Sequence, residues 1–539
     1  MKKIFLSIIF IASGLSVANA QSYNVVDNNA DADPTLECTS ITVGKKASAD
    51  GSVMTSHTDD SGRTRTNILI VPAADHAKGA TKTIFRRVTP EKDEYGKMKK
   101  YDFVRTGEIP QVAHTYKYFS TAYPCLNEHQ LAIGESTFTG RKELQSDAGL
   151  IDCTALCELM MERCSTARQA IALAGDLLKR YGWNDFGEAL TIADKNEVWH
   201  LEIVGPGKGK VGAVWVAQRV PDDHIAVNAN ASTIREIDLR NKDYFAASDN
   251  IFSVAQEMGF WNKKSGEPFR FAYAYAPDTR MSLACRRREW RVFDLMAPSL
   301  GLDPNQENYP FSVKPDAKVT KEKMMEVFKD YYQGTEYDMR KNLTVTDKDG
   351  KTVISPVANP FMKADEQKLM KINGGWHWRG ERTIAVYFTI YATIIQCRSD
   401  MPDPIGGLLW FALDNVASSI YVPLYMGITS LPKEYETDGR QTGFSRNAAW
   451  WVFNRVGTIA AKRWGDMSPV VEKEFAPLQK EFIDGAAETD RLALEAYRAK
   501  DYGKVTEILD SYSNSCANTA LQRAWSLGDM LWTMFDNMW

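Results

Sequence analysis

The chain has 539 residues, 44% of them hydrophobic and 25% charged, which suits one large or two ordinary globular domains. Its aromatic content of 11% argues against a disordered or fibrous protein. The 65 lysines and arginines nearly balance the 69 aspartates and glutamates, so there is no basic field to hold a nucleic-acid backbone. We therefore expect a globular protein that does not bind nucleic acid.

The first 20 residues have the pattern of a secretory signal peptide. Two lysines precede an apolar run from Ile4 to Ile11, and small residues lead to Ala18-Asn19-Ala20, so we expect cleavage before Gln21. No later stretch reaches the roughly 18 uncharged apolar residues of a membrane helix. The sequence predicts a periplasmic or secreted bacterial protein that leaves the membrane once the signal is removed.

The character of the chain changes abruptly at Cys38. Residues 21–37 are polar and acidic, which is typical of a propeptide or linker. From Cys38 onward, CTSITVG and SVMTSHTD show strand alternation around a turn at Asp50-Gly51, so they predict a β-hairpin whose first strand begins at Cys38. We expect a main folded domain over residues 38–446, with insertions, and a helical extension over residues 447–539.

Strands and helices alternate in blocks along residues 38–446. Strands are predicted on both sides of Asn127-Glu128-His129, and two helices between Asp152 and Arg180, separated by a cap at Ser165-Thr166. A meander of four strands is predicted next, in EALTIAD, EVWHLEIVG, GAVWVAQRV and HIAVNANAS, and later strands in RTIAVYFTIYATIIQC and LLWFALD. This order favours an α+β architecture over a parallel βαβ sheet.

The eight cysteines are sparse and irregularly spaced, which does not indicate a disulfide scaffold. Cys153 and Cys157 lie one helical turn apart, where a buried small hydrophobe is the ordinary role. No further histidine or cysteine is close enough in sequence to complete a metal site there, and none is predicted.

Cys38 differs from the other cysteines because it directly follows the segment with the character of a propeptide. If the bond after Glu37 is cut, Cys38 carries both a thiol and a free α-amine, and the amine can take the thiol proton directly or through one water. One residue would then supply nucleophile and base. From position alone, a buried or disulfide-bonded strand cysteine explains the residue equally well.

Several segments in one order resemble the dipeptidase A family of cysteine N-terminal-nucleophile (Ntn) hydrolases. They extend over roughly residues 38–450 and are CTSITVGKKASADGSVMTSHTDD, NEHQLAIGES, ERCSTARQAIALAGDLLKRYGW, GEALTIADKNEVWHLEIVG, RVPDDHIAVNANASTIREID, RREWRVFDL and PIGGLLWFALDNVASSIYVPLYMGI. The resemblance implies a four-layered αββα sandwich, autocatalytic exposure of the cysteine, and hydrolysis of dipeptides without a metal or organic cofactor. More distantly, the pattern is similar to penicillin V acylases and bile-salt hydrolases.

The resemblance also implies roles for individual residues. Asp59 matches the aspartate that contacts the amine of the nucleophile. The acylases place an arginine three residues earlier, where this chain has Ser56 with His57 beside it, so a cation that would lower the thiol pKa is missing.

Two asparagines and an arginine complete the implied site. Asn228 and Asn230 are predicted on the same side of one strand, with Asn230 as the oxyanion donor. The second oxyanion position of the acylases falls near Thr137. Arg288 matches the later arginine of the family and would hold the network around Cys38 or meet a substrate carboxylate, although three consecutive arginines are more often a solvated cluster.

The predicted function is therefore hydrolysis of dipeptides by the thiol of Cys38, with no cofactor or metal, and homo-oligomer formation is left open. Two alternatives remain. One is an N-acyl amide hydrolase of the penicillin V acylase type, and the other is a non-catalytic binding protein that keeps the fold.

Overall fold

A computed structural model describes residues 38–61, 64–88, 102–362, 366 and 382–537. The predicted signal peptide (1–20) and the propeptide or linker (21–37) lie outside the described residues. Within the described chain, no helix is both long enough and apolar enough to cross a membrane.

All the strands of the described chain end by Tyr425. In chain order they are β1 (Ser40–Val43), β2 (Val53–Asp59), β3 (Leu69–Val71), β4 (Ala74–Asp75), β5 (Thr81–Val88), β6 (Asp102–Pro110), β7 (His114–Thr115), β8 (Tyr118–Ser120), β9 (Pro124–Asn127), β10 (Ala132–Thr139), β11 (Gly187–Ala193), β12 (Val198–Val204), β13 (Val214–Arg219), β14 (Ile225–Asn228), β15 (Phe245–Ala247), β16 (Ser312–Val313), β17 (Thr344–Thr346), β18 (Thr352–Ile354), β19 (Tyr391–Cys397), β20 (Gly407–Leu413) and β21 (Val422–Tyr425).

The α-helices form two groups, one between strands and one at the end of the chain. In chain order they are α1 (Cys153–Arg163), α2 (Ala167–Tyr181), α3 (Ser253–Glu257), α4 (Phe271–Tyr275), α5 (Pro277–Met281), α6 (Leu283–Met296), α7 (Lys321–Phe328), α8 (Asp403–Gly406), α9 (Lys433–Glu436), α10 (Gly439–Thr442), α11 (Ala449–Ala460), α12 (Trp464–Arg498) and α13 (Tyr502–Asp536).

Two antiparallel sheets organise the described chain. A seven-stranded sheet has the order β16-β14-β1-β2-β19-β20-β21, and an eight-stranded sheet has the order β15-β13-β12-β11-β10-β9-β8-β3. Every residue of β2, β19 and β20 is buried. Strands buried on both faces must be covered on both sides, so the first sheet lies between two other layers.

The two sheets face each other across a partly polar interface. The hydroxyls of Thr55 and Thr191 lie 2.7 Å apart, and Thr42 Oγ1 lies 3.0 Å from His200 Nε2. Gly134 allows this approach, because a Cβ there would lie 2.3 Å from the backbone oxygen of Ser56. The sheets therefore meet backbone to backbone near this glycine.

Helices pack on each sheet. α1 and α2 contact strands of the eight-stranded sheet, and each begins at a capping side chain: Asp152 accepts from Ala155 N, and Thr166 accepts from Gln169 N. On the other side, α11 contacts β20 and α13 contacts β21. The predicted α+β composition, with antiparallel sheets and a helical C-terminal region, is confirmed, while the predicted domain boundaries remain a prediction.

Most predicted elements are confirmed, with three corrections. The first strand begins at Ser40, because Thr39 makes only an isolated bridge to Thr58. The fourth strand of the predicted meander, β14, leaves the eight-stranded sheet and pairs with β1. The strand predicted from Arg382 begins only at Tyr391, and Arg382 itself is fully buried in an ion pair with Asp60.

Candidate active site

Cys38 lies just before β1, and its side chain points between the two sheets. Only 2% of the residue is exposed. Its thiol donates to Glu135 Oε2 of β10 at 3.2 Å, and Ser40, on the same face, donates to the backbone oxygen of Glu135 at 2.8 Å. The end of the first sheet that carries the thiol is thereby joined to the second sheet.

An imidazole shares this carboxylate with the thiol. His57 Nε2 lies 3.4 Å from Glu135 Oε2, and both side chains are buried. Burial alone would raise the pKa of Glu135, but its polar neighbours, above all His57, lower it to about 2. Glu135 is therefore an anion at neutral pH, in contact with both the thiol and the imidazole.

The position of His57 changes the comparison with the acylases. Ser56 faces away from the thiol: its hydroxyl accepts from Ile41 N at 2.9 Å and donates to Ile41 O at 2.7 Å. Because side chains alternate along a strand, His57 takes the face toward Cys38. The missing arginine therefore does not leave this face of β2 without a basic group.

Asp59 lies on the same face of β2 as His57 and is fully buried. Continuing the Thr39–Thr58 bridge by one residue places Asp59 opposite Cys38, as its predicted role requires. Neither carboxylate oxygen has a well-formed hydrogen bond within the described residues. Burial raises the pKa of Asp59 to about 6, against the opposing effect of His57.

Arg288 of α6 holds the backbone of Cys38. Its guanidinium donates to Cys38 O at 2.7 Å, to Thr39 Oγ1 at 2.9 Å and to Asn230 Oδ1 at 2.7 Å. Burial, with Arg382 nearby, lowers the pKa of Arg288 to about 10, so it remains charged at neutral pH. The expectation of a solvated arginine cluster is wrong, since Arg286, Arg287 and Arg288 are 8%, 2% and 0% exposed.

The two predicted asparagines do not share a strand face. The strand ends at Asn228, and Asn230 has a left-handed backbone with φ of 59°. The amide of Asn228 turns back to Ala231 O at 2.9 Å. Asn230 instead accepts from Arg288 and donates from Nδ2 to Thr137 O at 2.7 Å. Only Asn230 therefore joins the network around Cys38, and its role as oxyanion donor stays a prediction.

Thr137 connects two buried carboxyl groups. Its hydroxyl lies 3.0 Å from Glu135 Oε1 and 2.8 Å from Glu188 Oε1. Burial, with Glu135 as its neighbour, raises the pKa of Glu188 well above its usual range. The hydroxyl can donate to either carboxyl group, and at Glu135 it meets an oxygen of the anion. Thr137 thus orients Glu135, a contact that its predicted oxyanion role did not include.

Two buried acidic groups, one in contact with the Cys38 thiol and one linked to Thr39 through Thr58, were not identified from the sequence. Glu135 lies in the segment NEHQLAIGES, two residues before Thr137, and an acidic residue inside a predicted strand was the available signal. Asp60 accepts from Thr58 Oγ1 and from Arg382, both at 2.9 Å, and Thr58 accepts from Thr39 N. This series of hydrogen bonds fixes the backbone at Thr39, the residue after Cys38.

Donor atoms for a metal ion also gather here. One set is Cys38, His57 and Glu135, and a second is Glu135, Cys153 and Glu188, with the donors of each set within 4.8 Å of one another. All eight cysteines are buried free thiols, which rules out a disulfide for Cys38 in this structure.

The candidate site thus holds a buried thiol in contact with a carboxylate, between two antiparallel sheets. The chain belongs to peptidase family C69, whose model matches residues 37–476. This confirms the resemblance to the dipeptidase A family and makes the protein a member of a family of peptide hydrolases.

Curated relatives are similar over most of the chain. A "Probable dipeptidase" of Latilactobacillus sakei is 25% identical over 439 residues, covering 79% of this chain and 82% of the relative. "Dipeptidase A" of Lactobacillus helveticus is 22% identical, covering 81% and 85%. A "Probable dipeptidase" of Salmonella dublin is 25% identical, covering 73% and 82%.

Proposed function

We propose that this protein is a cysteine dipeptidase whose nucleophile is the thiol of Cys38, freed as the N-terminal residue by cleavage after Glu37. The observation that carries the proposal is the contact of the Cys38 thiol with Glu135, beside His57 and Asp59, where the two sheets meet. Family membership and the names of its relatives support dipeptides as the substrate class.

The chemistry follows from Cys38 carrying both reacting groups. Its α-amine takes the thiol proton, and the sulfur attacks the scissile carbonyl carbon. The carbonyl π electrons move to oxygen, and an amide donor such as that of Asn230 stabilises the resulting charge. Collapse of this intermediate breaks the C–N bond, and the ammonium returns its proton to the leaving amine. Water, deprotonated by the same amine, then hydrolyses the thioester.

The surrounding residues position these groups. Asp59 lies opposite Cys38 and orients the new α-amine, with its carboxylate also stabilising the ammonium form. Arg288 fixes the carbonyl of Cys38, so that only the side chain and the amine of this residue remain free to move. Glu135 and His57 hold the thiol on the side of the sheet where the substrate carbonyl arrives.

We also propose a four-layer fold and an exported location for the enzyme. Two facing antiparallel sheets with helices packed on each support the four-layer αββα sandwich of the Ntn hydrolases. The signal-peptide pattern of residues 1–20 supports export to the periplasm or beyond.

N-terminal sequencing of the exported protein tests the central step. We expect the mature chain to begin at Cys38, and Cys38→Ser to hydrolyse no dipeptide. A mature chain that begins stably at Gln21, with Cys38→Ser as active as the parent, would overturn the proposal.

The substrate class needs a separate panel. Free dipeptides, tripeptides and N-acyl amides are compared with the same enzyme preparation, and dipeptides should give the highest kcat/KM. Turnover of N-acyl amides alone would favour the acylase alternative, and no turnover at all, together with tight peptide binding, would favour a non-catalytic binding protein.

A further inference from the structure

We propose that Cys38, His57 and Glu135 form a binding site for a thiophilic divalent cation such as zinc, and that the bound cation reversibly blocks the nucleophile. Thiolate, imidazole and carboxylate are the ligand types that zinc uses in proteins. The site lies within the candidate active site, so its occupant would compete with the substrate.

The spacing of the donor atoms suits tetrahedral coordination. With metal–ligand distances of about 2.0–2.3 Å, neighbouring donors around zinc lie about 3.4–3.6 Å apart. Here Cys38 Sγ lies 3.2 Å and His57 Nε2 lies 3.4 Å from Glu135 Oε2. The two contacts with the carboxylate are thus close to the spacing of zinc ligands, and all three donors lie within 4.8 Å of one another.

The imidazole supplies an independent indication of a ligand. His57 Nε2 is buried and, although it lies 3.4 Å from Glu135 Oε2, makes no well-formed hydrogen bond within the described residues. An unsatisfied buried nitrogen is costly, and a cation would satisfy it. The rings of Tyr123 and Tyr391 lie edge-on to the imidazole, each with its centroid 5.6 Å away, and fix its orientation.

The carboxylate is also held in place from behind. The Thr137 hydroxyl lies 3.0 Å from Glu135 Oε1, which leaves Oε2 directed toward the thiol and the imidazole. Outer contacts of this kind orient the ligands of metal sites and strengthen binding. Glu135 is therefore positioned as a ligand before any cation arrives.

Charge balance favours a divalent ion. Binding displaces the thiol proton to solvent, so the cation meets one thiolate and one carboxylate, and a neutral imidazole completes the set. Two negative charges against two positive charges leave the buried site neutral, which limits the cost of desolvation.

Processing would supply a fourth ligand. Once Cys38 is N-terminal, its α-amine and thiolate can chelate one ion in a five-membered ring. The processed chain should therefore bind zinc more tightly than the unprocessed chain. The inhibitory consequence rests on the proposed role of Cys38 as nucleophile, whereas binding of the ion does not.

Cobalt titration of the chelator-treated full chain tests the site without reference to activity. We expect one Co²⁺ per chain with a thiolate-to-cobalt charge-transfer band in the near ultraviolet, and displacement of the band by Zn²⁺. Loss of a group that only hydrogen-bonds to a metal ligand typically weakens metal binding by about 10–100-fold. Cys38→Ser removes a ligand itself, so it should weaken binding by at least about 100-fold and remove the band. His57→Gln and Glu135→Gln keep the thiol and should weaken binding by at least about tenfold.

Cys153→Ser is the matched control, because Cys153 is the thiol of the neighbouring donor set. This variant should bind Co²⁺ as the parent does, and thermal melting of every variant checks that it is folded. Loss of the band in Cys153→Ser but not in Cys38→Ser would overturn the assignment, as would the absence of any band in the folded parent.

Inhibition is measured on the processed enzyme with a dipeptide substrate. We expect stoichiometric zinc to abolish hydrolysis and a chelator to restore it. Full activity of a zinc-loaded enzyme would overturn the blocking role. If chelator-treated enzyme hydrolyses no dipeptide while the cobalt band is present, the proposed function fails and the metal site stands.

Discussion

The guanidinium of Arg288 donates a 2.7 Å hydrogen bond to the carbonyl oxygen of Cys38, which ties α6 to the proposed nucleophile. The same group reaches Asn230 Oδ1 at 2.7 Å. A single fully buried side chain thus connects the proposed nucleophile with the predicted oxyanion donor. The planar fork of an arginine can make both contacts at once, and a lysine cannot.

Arg288→Lys should therefore reduce both activity and stability. We expect a loss of about 2–4 kcal/mol in the free energy of unfolding, since several buried oxygens lose a donor. The decrease in activity should appear mainly in kcat. Urea unfolding and dipeptide kinetics measure the two effects. Arg286→Lys is the control, because Arg286 donates to Asn305 O and Gln306 O instead. Equal losses in both variants would contradict a specific role for Arg288.

Thr137→Val should disturb Glu135 without changing the size of the side chain. The variant removes the hydroxyl that joins Glu135 to Glu188, and we expect it to lose about 1–3 kcal/mol of stability because buried carboxyl oxygens lose a partner. Thr137→Ser keeps the hydroxyl and should remain close to the parent. Denaturant titration of the parent and the two variants measures this difference. Similar midpoints for Thr137→Val and Thr137→Ser would show that the hydroxyl between Glu135 and Glu188 does not stabilise the fold.

Two substitutions at Asn230 separate its backbone from its amide. Both Asn230→Gly and Asn230→Ala remove the side chain, but only alanine bears the full cost of the left-handed φ of 59°. We expect alanine to be less stable than glycine by about 1–2 kcal/mol. If the amide is the oxyanion donor, both should lose about 10²–10³-fold in kcat. Nearly parental kcat in Asn230→Gly would remove Asn230 from the mechanism.

His200 should make stability depend on pH. Burial lowers the pKa of His200 to about 3, compared with 6.5 for an exposed histidine. Between these values the unfolded chain binds a proton that the folded chain excludes, so stability falls as pH decreases from 6.5 toward 3. The contribution of one group is at most about 1.4 kcal/mol per pH unit.

Urea unfolding of the parent and of His200→Gln across that range isolates this contribution. The variant should show a weaker loss of stability with acid, since glutamine does not titrate and still offers a polar group to Thr42. Parallel curves would mean that other groups account for the acid sensitivity.

Leu509 tests whether the C-terminal helices fold together with the sheets. It is fully buried in α13, and a Cβ on Gly427, just after β21, would lie 2.5 Å from its Cδ1. Leu509→Ala should cost about 2–5 kcal/mol and shift one cooperative transition. Leu492→Ala, at a position 38% exposed in α12, should have little effect. Two separate transitions in the Leu509 variant would indicate an independently stable helical unit.

Local patterns in the sequence predicted most of the secondary structure. The Asp50-Gly51 turn, the hydroxyl cap at Thr166 and the two-residue alternation of the strands depend on neighbours in the chain, so they can be recognised without a structure. The start of the strand at Tyr391 could not be recognised, because the preceding apolar segment is held by a distant ion pair between Arg382 and Asp60.

The candidate site was only partly predictable for the same reason. The sequence by itself predicted a strand that starts near Cys38 and the resemblance to the dipeptidase A family, since position and motif order are local properties. Only the tertiary structure decided which groups meet the thiol. Glu135 is 97 residues away and Arg288 is 250 residues away, and strand register decides that His57 rather than Ser56 faces Cys38. Contacts of that kind depend on how two sheets stack, which no short stretch of sequence encodes.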